Sequence, residues 1–445
     1  MGLPDVTIVG GGLAGCEAAW QLAQRGVAVR LHEMRPGRSS PAHTGADLAE
    51  LVCSNSLRSA QLGNAVGLLK EEMRRLGSLV LRAADACAVP AGRALAVDRT
   101  AFARHVGDAI GSHPRIELRR ELVPAVPAAG QVILATGPLT APELARDLQA
   151  LCGEESLAFY DAIAPIVYAD SVDPEVAFRA SRWEEGEGDY WNLPLERASY
   201  EAFVDALRAA DPVPLHACEQ ALYFEGCLPI EEMARRGRET LAHGPMKPVG
   251  LVDPRSGRRP WAVVQLRHED KEGMLYNLVG FQTRLRVADQ QRVFRTLPGL
   301  GGAVFARYGS VHRNTYLNAP RQLGPDLALR ARPAVRVAGQ MAGVEGYVES
   351  AALGGLAGLF AAAAVRGEPV PFPPETSAHG ALLRHLRDAD PRRFQPTNVH
   401  WGLFPPLAPV PGARREKRPE RNARLAARAL ADLAPWLAAA GTAGP

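Results

Sequence analysis

The feature that most constrains this chain is the stretch DVTIVGGGLAGCEAAWQLAQRGVAVRLHE, residues 5–33. Asp5 to Val9 is a short apolar run and predicts a strand. Gly10 to Gly15 predicts a tight turn, and Ala14 to Gln24 carries helical spacing that Arg25-Gly26 ends. Val27 to His32 returns as a strand and stops at Glu33. Such a β-α-β unit places its two strands parallel in one sheet, with the helix across a face. Gly10, Gly12 and Gly15 form G-x-G-x-x-G at the strand–helix junction. Gly10 permits the turn, Gly12 lets a pyrophosphate approach the backbone, and Gly15 lets helix and sheet pack closely. The helix N-terminus offers unpaired N–H groups to phosphate, and Glu33 stands where an acid would hold a ribose 2′-OH. Gly10, Gly11, Gly12, Leu13, Ala14, Gly15 and Glu33 are thus candidate residues for binding NAD or FAD.

Two later features favour FAD. QVILATG (131–137) reads as a buried strand ending in a glycine turn. AVRVAGQMAGVEGYVESAALGGLAGLFAAAAVRG (334–367) reads as a strand, a glycine turn and a long apolar helix. Aimed at a flavin, that helix N-terminus suits a partly anionic reduced ring. Gly339, Gln340, Gly343, Glu345, Gly346 and Tyr347 are the candidate contacts. The competing reading is helix–helix packing through small residues.

Elsewhere, 34–64 reads as loop, 66–76 and 97–110 as helices, and 115–123 as a strand. From about 138 to 330 the β-α rhythm is lost, which suggests a second domain of mixed strands and helices inserted into the first. An amphipathic helix is expected from Arg424 to Leu437. The fold class is therefore α/β, a Rossmann-like nucleotide domain with an inserted α+β domain and a helical C-terminal segment. The expected division is 1–137 with 331–375, then 138–330, then 376–445.

The 445-residue chain carries a net charge of only +3, unevenly spread. Residues 1–229 hold 20 Lys and Arg against 30 Asp and Glu, whereas residues 230–336 hold 19 against 9. This pattern points to a polyanionic partner, with a solvated Arg-rich surface as the plainer alternative. Arg235, Arg236, Arg258 and Arg259 are the exposed candidates for phosphate contact. The apolar start lacks a basic leader, and no apolar run reaches the ~18 residues that suggest a membrane span. A cytoplasmic, monomeric protein that binds no membrane is expected.

None of the six cysteines pairs as C-x-x-C, which argues against structural zinc, and no metal site is expected. Most cysteines in a cytosol are small buried hydrophobes. Cys53, in LVCSNSLRS, precedes three good helix N-caps, Ser54, Asn55 and Ser56. A helix starting there would favour its thiolate, with Arg58 adding positive charge. Cys227, in FEGCLPIEE, precedes Pro229, which opens an expected helix.

Together GGGLAG, CSNSLR, ILATGPLT, FEGCLPIEEMARRG, GPMKPVGL, VGFQTRL and GQMAGVEGYVESAA resemble the folate- and FAD-dependent tRNA (uracil-5-)-methyltransferase family, TrmFO. The motifs run from residue 10 to about 355. The resemblance implies an FAD domain with an insertion domain. It also implies formation of 5-methyluridine at position 54 of the tRNA T loop, with carbon from 5,10-methylenetetrahydrofolate and electrons from NAD(P)H through FAD. By motif, Cys53 and Cys227 correspond to the family's two functional cysteines. The expected roles are Cys227 as the nucleophile at uracil C6 and Cys53 as the auxiliary thiol near the flavin, with the opposite assignment as the alternative. The alternatives are the related MnmG (GidA) chemistry on a wobble uridine and a flavin oxidoreductase acting on small molecules.

Overall fold

The computed structural model describes residues 5–40, 42–153, 157–162, 164–184, 186–213, 228–408 and 417–440, with 157–162 and 311–315 described by their backbone. β1 (Val6–Val9), α1 (Leu13–Gln24) and β2 (Val29–His32) form the expected unit, and β1 and β2 pair in parallel from Val6↔Val29 to Val9↔His32. Strand Gln131–Leu134 pairs with the other edge of β1, and Arg332–Val337 follows it. Ile116–Arg119 extends the sheet beyond β2, and Ala328–Leu329 closes the far edge as its antiparallel member. The chain therefore leaves β1 in one direction and returns on its other side. This switch point opens a crevice at the C-terminal end of β1, where open α/β sheets bind their ligands.

The apolar helix Tyr347–Arg366 runs beneath this sheet against α1. The two backbones touch because Gly354 and Gly358 face them. A Cβ on Gly354 would lie 2.2 Å from Ala14 O, and one on Gly358 would lie 2.7 Å from Ala18 O. Small-residue packing and the strand–turn–helix motif thus coexist in one element. This helix has the length and hydropathy to cross a bilayer, but 83% of its most apolar window is buried within the protein, as suits a core helix.

The second core lies between Val167 and Phe305. Its six-stranded antiparallel sheet runs Phe178–Arg179, Trp191–Leu195, Ala262–His268, Leu275–Leu278, Ile166–Tyr168, Phe305–Arg307. Tyr200, Phe203, Val204 and Leu207 of helix Arg197–Ala209 are buried in that core. The first core takes in Leu144 and Leu148 before the crossing and Tyr316 to Leu329 after it. A two-stranded ribbon, Leu157–Ala162 with Val311–Tyr316, joins the two parts.

Two changes from the sequence reading concern short elements. The stretch read as loop contains a strand, β3 (Ser56–Ser59), paired with Ala94–Val97. The strand expected over 115–123 ends at Arg119. Helix α2 (Ala65–Arg75) and the C-terminal helix Arg418–Ala439 form where periodicity placed helices. The C-terminal segment is no appendage. Glu72 of α2, fully buried, accepts from Ala378 N (2.7 Å), His379 N (3.1 Å) and His379 Nδ1 (2.8 Å), capping helix Ala378–Asp388. Leu425, Ala429, Leu433 and Trp436 enter the first core.

Candidate functional site

The glycine turn is shaped by close approach. Gly10 has φ +107°, and a Cβ there would lie 2.4 Å from Ala135 O. A Cβ on Gly15 would lie 1.8 Å from Gly10 O, so only glycine lets α1 seat on the turn. Gly12 differs, because its Cβ would meet nothing within 4 Å and would project into open space. That space is a cleft of about 1060 Å3, its open mouth included.

Gly10 to Ala14, Glu33, the Ala135–Ala141 turn, Gly339, Gln340 and Tyr347 all line the cleft. The structure brings these predicted residues together from four separate segments. Gly343, Glu345 and Gly346 act one step back. Gly343 (φ +95°) packs under the Phe394 ring, Glu345 accepts from the Gln340 amide at 2.6 Å, and Gly346 (φ +102°) caps the Tyr347–Arg366 helix.

Glu33 is doubly engaged. Its Oε2 accepts from Gly11 N at 3.0 Å, and its Oε1 accepts from Arg35 N (3.0 Å) and Arg35 Nε (2.9 Å). Burial opposes its charge, but the hydrogen bonds from Arg35 and Gly11 outweigh that and hold the carboxyl below its usual range. A carboxylate has about four acceptor sites, so Glu33 can set the turn and still accept a ribose hydroxyl. Arg35 bridges onward to Glu50 at 2.9 Å. Arg35 and Glu50, which also line the cleft, carry no motif that marks them in the sequence.

Val52 and Tyr347 also line the cleft, and Tyr347 contacts Cys53. Cys53 N and Ser54 N both donate to Tyr347 Oη, at 2.8 and 3.2 Å. These donors use both lone pairs of the phenol, so its own proton is left for Cys53 Sγ at 3.0 Å. Burial, with the neighbouring thiol, pushes the phenol well above its usual pKa, so Tyr347 stays a donor.

The expected helix after Cys53 is absent. Ser54 to Ser56 lead into β3 because Asn55 and Leu57 are committed elsewhere. Asn55, fully buried, donates to Val97 O (3.0 Å) and His268 O (2.8 Å) and accepts from Arg267 Nε (3.0 Å). Leu57 is buried in the first core. Positive charge reaches the sulfur from elsewhere: the guanidiniums of Arg99, Arg267 and Arg307 lie within its electrostatic reach. Arg99 is held by Leu51 O and by Glu269, and Arg267 by Ser54 Oγ at 2.9 Å. Arg58, expected beside the thiol, instead pairs with the fully buried Glu349 on the Tyr347 helix. Lys70, also fully buried, donates to Leu57 O at 2.7 Å, and burial pushes its ammonium down to about 7.

The other cysteines divide simply. Cys16 is buried, donates to Gly11 O at 3.3 Å, and its thiol is driven far up by burial. Cys87 is buried and shifted the same way. Cys218 and Cys227 lie outside the described residues. Just after Cys227, Pro229 caps helix Ile230–Arg236, as the sequence reading expected.

If Tyr347 supplies the proton that Cys53 Sγ accepts, Tyr347→Phe removes a donor that favours the thiolate. Alkylation of Cys53 by iodoacetamide at neutral pH is then expected to slow several-fold, which quantitative peptide mass spectrometry can measure. An unchanged rate would show that the arginines alone set its reactivity.

Residues 5–369 match the family described as "Glucose inhibited division protein A". The chain is 57% identical over 437 residues to the methylenetetrahydrofolate--tRNA-(uracil-5-)-methyltransferase TrmFO of Desulforudis audaxviator, covering 98% of this chain and 99% of that protein. It is 58% identical to the TrmFO of Geobacter sulfurreducens, covering 97% and 99% respectively. Among solved structures, GidA of Aquifex aeolicus in its form I crystal superposes with a TM-score of 0.70 at 16% identity, covering 98% of this chain and 76% of that one.

Proposed function

The chain belongs to the TrmFO family, and on that premise we propose that it transfers a one-carbon unit from 5,10-methylenetetrahydrofolate to C5 of uridine 54 in the tRNA T loop, with NAD(P)H as reductant. Support comes from identity with TrmFO proteins along nearly the whole of both chains. The observation in the structure that carries the reading is the contact of Cys53 with Tyr347, which lines the dinucleotide cleft.

The cleft fits FAD. Gly12 leaves free the volume a Cβ would take, Glu33 retains acceptor capacity, and Tyr347 and Val52 line the same cleft. When bound, FAD would supply the two electrons, drawn from NAD(P)H, that reduce the transferred carbon from the formaldehyde level to methyl. The residues of the chain do the rest. A thiolate adds to uracil C6, which makes C5 enolate-like and able to attack the methylene carbon. Loss of the C5 proton, release of tetrahydrofolate and departure of the thiolate leave 5-methyluridine, with NAD(P)H oxidised. We assign the attack to Cys227. Cys53 is the second thiol, oriented by Tyr347 and held near positive charge by Arg99, Arg267 and Arg307. Arg235, Arg236, Arg258 and Arg259, all exposed, are the proposed phosphate contacts.

The alternatives are less well supported. GidA matches this chain at 16% identity and over only 76% of its own length, whereas the TrmFO relatives match end to end. The experiment is label transfer from methylene-labelled folate to tRNA lacking the modification. Label at C5 of the T-loop uridine is expected; label at the wobble position, or none, would overturn the reading.

A further inference from the structure

A second cleft, of about 690 Å3, opens between the β3 sheet and the inserted domain. Trp183 stands at its rim, 66% exposed and at φ +64°, a conformation that side-chain-bearing residues rarely adopt. Its ring rests on backbone on one side. A Cβ on Gly250 would lie 3.1, 3.2 and 3.4 Å from Trp183 Cε2, Cδ2 and Cζ2, so the ring lies face-on over that glycine and turns its other face to solvent. Arg182 braces the base of the same turn, donating to Gln265 Oε1 at 3.0 Å and to Val249 O at 2.6 Å. Tyr190 closes the back, its hydroxyl donating to Ala91 O at 2.8 Å.

The cleft adjoins the Cys53 loop. Gln265 lines it, and Arg267, two residues along the same strand and on the same face, holds Ser54 and Asn55. That spacing is about 7 Å.

We infer that Trp183 is a stacking platform for an RNA base flanking the target uridine, which rests on the RNA substrate proposed above. The cleft offers an exposed aromatic face with guanidiniums in its lining, which suits a base attached to an anionic backbone. Of the lining guanidiniums, Arg93 is half-exposed and lies 3.6 Å from Glu184, and Arg182 is bonded only to neutral carbonyl oxygens, so positive charge remains beside the ring. Further along the chain from Gly250, Arg258 closes a turn with Asp253 and, like Arg259, is exposed, which adds basic side chains for backbone phosphates. An exposed aromatic face beside basic side chains is the combination that binds unpaired nucleotides.

The test is direct binding of a T-arm hairpin carrying 2-aminopurine next to the target uridine, read by fluorescence, with the FAD-bound protein. Wild type is expected to quench the probe. Trp183→Ala should abolish the quenching and weaken affinity about tenfold, whereas Trp183→Phe should keep most of both. FAD content and melting temperature report folding of each variant. Equal quenching by Trp183→Ala and wild type overturns the inference, as does a Trp183→Ala defect confined to the KM for methylenefolate. Methyl transfer to the hairpin plays no part in the binding readout, so failure of the proposed reaction would be seen separately.

Discussion

Cys227→Ala is expected to form no covalent adduct with 5-fluorouridine tRNA, whereas Cys53→Ala should still form one. Fluorine at C5 cannot leave as a proton does, so the species formed after thiolate addition to C6 accumulates, and only the attacking cysteine is captured. The expectation for Cys53 rests on its engagement by Tyr347. Its sulfur is tied to Tyr347 at 3.0 Å, and its backbone and that of Ser54 are tied to the same phenol. Loss of the nucleophile should lower methyl transfer by roughly three orders of magnitude or more. Loss of Cys53 should also slow transfer while leaving the adduct in place. Denaturing gel shift and mass spectrometry read both outcomes, and a stable adduct in Cys227→Ala would reverse the assignment.

Gly12→Val and Gly15→Val should fail in different ways, though the two glycines stand three residues apart in one motif. Gly12 faces open cleft, so valine there leaves the fold intact and intrudes where a pyrophosphate must approach. Overpacking of this kind costs about 1–3 kcal/mol, or roughly 5- to 150-fold in flavin affinity. The apoprotein should melt close to apo wild type and recover little 450 nm absorbance when reconstituted. Gly15 faces Gly10 O at 1.8 Å from its would-be Cβ, so valine there forces α1 off the sheet. That variant should yield little folded protein with or without FAD. A flavin-replete Gly12→Val, or a Gly15→Val that melts normally, would contradict the account.

How far the site was legible follows from the range of each interaction. The cleft's glycine turn is local: G-x-G-x-x-G demands a left-handed Gly10 and a Cβ-free Gly15 wherever a strand meets a helix. The helix expected at Cys53 failed for the opposite reason. Ser54, Asn55 and Ser56 have N-cap chemistry, but Asn55 is bonded to Val97 and His268, the second 213 residues away. Those tertiary bonds, with burial of Leu57, draw the backbone into β3 and override the local preference. The same holds for Arg58, whose expected charge on the thiol is spent on Glu349.

The amino-acid sequence alone determined the β-α-β nucleotide unit and the second strand–turn–helix, because each rests on residue types within a few positions of one another, whereas Cys53 and Cys227 were singled out by the resemblance of their motifs to the TrmFO family. Only the tertiary structure decided what surrounds Cys53. Tyr347 reaches it across 294 residues, and Arg99, Arg267 and Arg307 lie within its electrostatic reach from a helix of the first core and two strands beside the second. No local pattern encodes that meeting, since it exists only once both cores have packed and brought their edges together.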